Sequence, residues 1–206
     1  MMSRRCLHPR KAFTLVELMV VMAILAIILS FAITAFNNIS KAGNLTNSSY
    51  MVQDSLKLAR QMAVSQNRRI FVRFYKMKGD SGTDTAYRAF RILAYDLTGT
   101  PIPASALKML PSGVVMMDDS TYSTILANTP DSGTEIIEGP AKGAQFKAVE
   151  FSPDGTVKLD PEGSGTDKWF VTLKAETDPA TGGLPAKNFI TVMLDPVTGR
   201  LRAFQP

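Results

Sequence analysis

The stretch Lys11-Ala-Phe-Thr-Leu-Val-Glu-Leu-Met-Val-Val-Met-Ala-Ile-Leu-Ala-Ile-Ile-Leu-Ser-Phe-Ala-Ile-Thr-Ala-Phe36 decides how the rest of the chain is read. From Leu18 to Phe36 it is apolar apart from Ser30 and Thr34, with no Gly or Pro. It is therefore predicted to be helical and long enough for a bilayer, which takes ~20 residues. Glu17 stands on its leading edge, where a carboxylate costs up to roughly 3 kcal/mol at full membrane depth and needs a partner. Just ahead, a basic leader stops at Lys11-Ala12-Phe13 without a spacer. A cut between Ala12 and Phe13 leaves a free ammonium on Phe13, four residues from Glu17.

Working outward, the 206 residues are 45% apolar and 20% charged, an ordinary globular composition with one membrane segment added. No other run approaches spanning length, so a single crossing is expected. Residues 37–206 suffice for one cored domain. The formal charge of +5 invites a nucleic-acid reading, but Arg4, Arg5, Arg10 and Lys11 all lie in the acid-free leader. Without it, 19 Lys and Arg face 18 Asp and Glu, and bulk charge says nothing about partners. The same cut removes the single cysteine, Cys6, and the single histidine, His8. The processed chain then has no disulfide framework, no familiar zinc or haem site, and no Cys-His or Ser-His-Asp catalysis. Four basic residues precede the apolar run and only Lys41 follows within fifteen residues. The positive-inside rule places the leader in the cytoplasm and everything after Phe36 outside it.

Residues 37–67 continue as helix with a different face. Leu45, Val52, Leu56, Ala59 and Ala63 recur at helical spacing, flanked by Met51, Leu58 and Met62, with Lys57, Arg60 and Gln61 opposite. Gly43 is a soft point, and Asn67 is placed to end the helix in the left-handed conformation. The period then becomes two. Ile70, Val72 and Phe74 alternate with Arg69, Phe71, Arg73 and Tyr75, which predicts a strand lying on the helix. A second strand is expected over 86–95, and others over 113–117, 145–151, 156–159, 168–175, 188–194 and 200–204. Ser152-Pro-Asp-Gly155 and Asp195-Pro-Val-Thr-Gly199 read as hairpin turns. Residues 118–144 and 176–187, rich in Ser, Thr, Gly, Pro and Asp, read as surface loops. The fold class is α+β: a long N-terminal helix whose second half packs on a mostly antiparallel sheet spanning 68–206.

Ala12-Phe-Thr-Leu-Val-Glu-Leu18 resembles the prepilin processing motif of type IV pilins and type II secretion pseudopilins, in which a prepilin peptidase cuts before Phe and methylates its new amino group. That resemblance implies a leader over 1–12, cleavage between Ala12 and Phe13, N-methylation of Phe13 and a filament-assembly role for Glu17. Two positions depart from the pattern: Ala12 stands where Gly is usual, and Thr34 where many major pilins carry a helix-kinking Pro. Downstream, residues 56–72, Leu110-Pro-Ser-Gly-Val114, Phe151-Ser-Pro-Asp-Gly-Thr156 and residues 190–202 resemble the GspH/FimT family of minor pseudopilins and minor pilins. The layout is also similar to prepilin-like Verru_Chthon cassette D proteins. The implied partners are a prepilin peptidase, other pilins or pseudopilins in a filament, an inner-membrane assembly platform and the membrane itself.

On that reading subunits leave the bilayer and stack with their apolar helices at the filament centre, where Phe13 ammonium and Glu17 neutralise each other. An ordinary secretory signal is the alternative, with Ser30-Phe-Ala32 as cleavage site and a soluble domain from Ile33. Arg200 and Arg202, two residues apart on the last expected strand, share one face with a span suited to successive phosphates. FimT-like pilins resemble this in a C-terminal Gly-Arg-x-Arg implicated in DNA capture. The competing explanation is hairpin chemistry with solvated Arg side chains. Asp118, Asp119, Asp154, Asp160 and Asp195 adjoin Gly or Pro or lie in loops, and read as turn residues rather than catalytic acids. The acidic loop 178–183 lacks EF-like ligand spacing for calcium. No phosphate-binding loop, metal spacing or nucleophile elbow is present, so neither catalysis nor a cofactor is expected.

Overall fold

The computed structural model describes residues 14–79, 85–96, 98–127, 131–137, 143–158, 169–178 and 188–205. The chain divides into two compact units, Met1–Ser40 and Lys41–Pro206. Helix α1 covers Leu15–Gln66. It stops where expected, because Asn67 takes φ 47°. The Arg68 amide then donates to the Ala63 carbonyl at 3.2 Å and the Asn67 amide to Val64 at 3.4 Å, the paired bonds of a Schellman cap.

In the first unit every described side chain from Thr14 to Phe31 is exposed. Ser30 is accommodated in the apolar run by donating its hydroxyl to the Ile27 carbonyl at 2.7 Å. Among the described residues no helix is long and apolar enough to cross a membrane. The described apolar side chains end at Phe31, and Leu15–Phe31 spans about 26 Å at 1.5 Å per residue, short of a hydrocarbon core of ~30 Å. The expected span over 13–36 is therefore not borne out by the described part. Phe13 and the side chains of 32–36 lie outside it.

In the second unit the α1 stripe is as read: Leu45, Val52, Leu56, Ala59 and Ala63 are buried. Met51 and Met62 pack at its margin, whereas Leu58 points to solvent at 42% exposure. The strands are β1 Ile70–Lys78, β2 Thr85–Tyr95, β3 Pro101–Pro103, β4 Lys108–Met109, β5 Val114–Met116, β6 Asp131–Glu135, β7 Ala144–Phe151, β8 Val157–Lys158, β9 Trp169–Ala175, β10 Phe189–Leu194 and β11 Leu201–Phe204. They form one sheet in the order β11-β10-β9-β5-β2-β1-β7-β6, with β3 and β4 on β2 and β8 on β7. Every pairing is antiparallel. Both expected hairpins form, β7 with β8 and β10 with β11.

Ile70, Val72 and Phe74 join Ile92, Val149, Val171 and Val192 in the core beneath α1. The opposite face carries its own cluster, with Tyr75, Met77, Ala89, Ile137, Phe146 and Ala148. Residues 118–144, read as a surface loop, supply Ile137 and Ala144 to this cluster and Ile125 and Leu126 to the core beneath α1, which corrects that expectation. Short helix α2, Thr124–Ala127, buries Thr124, Ile125 and Leu126, while β6 extends the sheet beside β7. Most of 176–187 lies outside the described residues. The register of β1 with β2 slips once, from Tyr75 opposite Ala89 to Lys76 opposite Tyr87, leaving Arg88 as a bulge.

Candidate functional site

At the N-terminus the sequence Thr14-Leu-Val-Glu17 closes a capping box. The Glu17 amide donates to Thr14 Oγ1 at 3.2 Å. The Glu17 carboxylate accepts from the Thr14 amide and hydroxyl, both at 3.4 Å. This is the reciprocal geometry that satisfies two otherwise orphaned donors of a helix start. Sequence reading assigned Glu17 only to assembly. The Thr-x-x-Glu spacing was the signal that it also caps the helix. Ala12 and Phe13 lie outside the described residues.

The C-terminal hairpin holds the other two sequence candidates. Arg200 and Arg202 are exposed and line one cavity of about 340 Å³ with Trp169, Met193, Leu194, Asp195, Pro196 and Thr198. The turn beneath them is tightly built. Asp195 accepts the Val197 and Thr198 amides and the Thr198 hydroxyl, at 3.0, 3.2 and 2.7 Å. Gly199 takes φ 62°. Its Cα faces Arg60 and Gly155, where a Cβ would stand 2.5 Å from the Gly155 carbonyl oxygen. Arg60 of α1 donates to that same carbonyl at 3.4 Å, so helix and two turns meet at one point.

Asp96, Asp119 and Asp154 do the same work as Asp195. Each accepts an amide two residues on, from Thr98, Thr121 and Thr156 respectively. Hydrogen bonds from Thr98, Thr156 and Thr198 hold the Asp96, Asp154 and Asp195 carboxyls below the usual range, the side-chain hydroxyl first, and the Thr121 amide does so first for Asp119. Among the described residues no group of carboxylates, thiols or imidazoles is arranged to hold a metal ion.

Charge is also buried in the sheet, a feature not anticipated from sequence. Arg88, re-aimed by the bulge, meets Glu176 through two bonds of 2.7 and 2.5 Å. Across the outer face Arg73 donates to Glu135 at 3.0 Å and to the Tyr95 hydroxyl at 3.2 Å, and stacks 4.1 Å from the Phe146 ring centroid. The Tyr75 hydroxyl donates to Glu135 at 2.8 Å. Burial first, then Glu135, push its ionisation far up, against the pull of Arg91 and Arg73.

Over residues 7–33 the chain matches the prokaryotic N-terminal methylation motif. No match to a curated protein is found. Among solved structures, the type IV minor pilin FimU of Pseudomonas aeruginosa is similar at 14% identity and a TM-score of 0.46, over 80% of this chain and 93% of that one. The minor pseudopilin EpsH from the type 2 secretion system of Vibrio cholerae is similar at 12% identity and a TM-score of 0.43, over 79% and 98%. The chain thus carries a prokaryotic N-terminal methylation motif ahead of an α+β body.

Proposed function

We propose that this protein is a minor pilin or minor pseudopilin, a structural subunit of a type II secretion pseudopilus or type IV pilus-like filament. The observation that carries the reading is the methylation motif over 7–33, within which an exposed apolar helical segment runs from Leu15 and ends, among the described side chains, at Phe31. Seventeen successive positions with only Glu17 and Ser30 polar have no stable place in water. Before assembly the segment 13–36 resides in the inner membrane, with the leader cytoplasmic and the sheet domain periplasmic or extracellular. A prepilin peptidase removes 1–12 and methylates Phe13. Other pilins and the assembly platform then take the apolar helix from lipid into a filament core.

Two features of the N-terminus support the processing step. The leader ends in Lys11-Ala12, small at the cut, and helix α1 begins at Leu15, two positions after Phe13 in sequence. Intact mass and N-terminal sequencing of the mature chain test this directly. A methylated Phe13 is expected; a terminus at Ile33 would instead identify a secretory signal. Glu17→Ala is expected to insert and be processed but to be lost from filaments.

A second reading, a DNA-binding minor pilin for uptake, is favoured by one observation: Arg200 and Arg202 line the same cavity beside Trp169. Two exposed guanidiniums suit phosphate contact, while the Trp169 ring is buried in the core. A salt-dependent shift of DNA by the full chain, lost in the Arg200→Ala/Arg202→Ala variant, supports it. Absence of binding at low salt removes it.

A further inference from the structure

On the face of the sheet turned away from α1, strand pairing sets Arg73 directly opposite Arg91. Two like charges in that relation repel each other and need a counterion. Their partners are unequally divided. Arg73 has Glu135, the Tyr95 hydroxyl and the Phe146 ring. Arg91 is partly buried and forms no ion pair or hydrogen bond with a described residue, and its Nε, like that of the ion-paired Arg88, is buried with no hydrogen-bond partner among the described residues. The described carboxylates of this face are already engaged: Glu135 accepts from Arg73 and Tyr75, and Glu150 from Arg69 at 3.5 Å.

A guanidinium that is partly desolvated, without an ion pair or hydrogen bond among the described residues, and beside a second guanidinium is an arrangement that an anion would complete. We propose that Arg91, in the field of Arg73, is an oxyanion receptor that takes one carboxylate or phosphate group on the outer face of the sheet. The planar fork of arginine matches two oxygens of either group. The neighbouring Tyr75, Phe146 and Ala148 are packed and buried, which keeps the strands beneath the site rigid. Nothing in this assignment depends on filament assembly or on Arg200 and Arg202.

The test uses the full chain in neutral detergent, titrated with inorganic phosphate, with glutarate, and with chloride at matched ionic strength, following the thermal midpoint. A saturable rise with phosphate or glutarate beyond that with chloride is expected, and whichever acts identifies phosphate or carboxylate as the ligand class. Arg91→Met is expected to lose the rise, while Lys57→Met, an exposed helix position, keeps it. If Arg91→Met does not fold, Arg91→Lys replaces it, keeping charge but not the fork, and the apparent affinity is expected to fall about tenfold. No saturable response, a response equalled by chloride, or an unchanged response in the Arg91 variant overturns the assignment.

Discussion

Thr14 and Glu17 hold each other across the first turn of α1, the Glu17 amide donating to Thr14 Oγ1 at 3.2 Å and the Glu17 carboxylate accepting the Thr14 amide at 3.4 Å. Glu17 therefore has a local task that needs hydrogen-bonding oxygens but not charge. The proposed assembly task needs charge, because only a carboxylate neutralises an ammonium in a low-dielectric filament core. The two tasks are separable by substitution.

Thr14→Ala removes the capping oxygen and leaves the carboxylate. Loss of an N-cap costs about 1 kcal/mol of helix stability. Incorporation into sheared filaments, measured by immunoblot against the membrane pool, is expected to stay near the wild-type level.

Gly199→Ala is expected to destabilise the second unit by roughly 2–4 kcal/mol, through a left-handed backbone and a clash with fixed backbone. The φ of 62° and the Gly155 carbonyl 2.5 Å from the added Cβ are the causes. Gly113→Ala, at φ 81° with open space around it, is expected to cost only about 1–2 kcal/mol. Denaturant unfolding of the full chain in detergent compares them.

Glu176→Ala strands the Arg88 guanidinium, whose side chain is 8% exposed. Breaking a largely buried pair from one side costs roughly 2–4 kcal/mol where the lost partner is partly solvated. Asp54→Ala, which removes an exposed partner of Lys57 at 3.6 Å, is expected to change stability by less than about 1 kcal/mol. The same unfolding measurement checks both.

Acid should loosen the turns in a defined window. Asp96, Asp119, Asp154 and Asp195 have folded-state carboxyls held low by threonine hydrogen bonds. Their contribution is present above the unfolded value, about 3.9, and is lost as pH falls through the lower folded values. Thermal midpoints are expected to hold between pH 7 and 5 and to decline below about pH 4. Asp195→Asn should make that decline shallower.

Much of this fold was legible because its periods are clean. The stripe Leu45, Val52, Leu56, Ala59, Ala63 and the alternation through Ile70, Val72 and Phe74 each name one buried face, and Asn67 names the helix end. What escaped reading had no period to show. Asp131-Ser-Gly-Thr-Glu135 is polar and forms an edge strand only because β7 offers its backbone. Thr124-Ile-Leu126 is too short for a helical repeat. Arg88 and Arg91 drew no reading from the strand pattern over 86–95, and only the bulge and the cover over the outer face reveal where they lie. At the candidate site, Glu17 was found for its charge, while its bond to Thr14 was overlooked although the spacing was in view.

Glu17→Gln tests the central claim most directly, since glutamine can fill the capping box but carries no charge. The measurement is the fraction of processed subunit recovered in sheared filaments, with membrane insertion and N-terminal methylation followed in the same cells. The expected result is normal insertion and processing with incorporation lost. Wild-type incorporation of the Glu17→Gln chain contradicts the charge assignment and leaves Glu17 only its bond to Thr14.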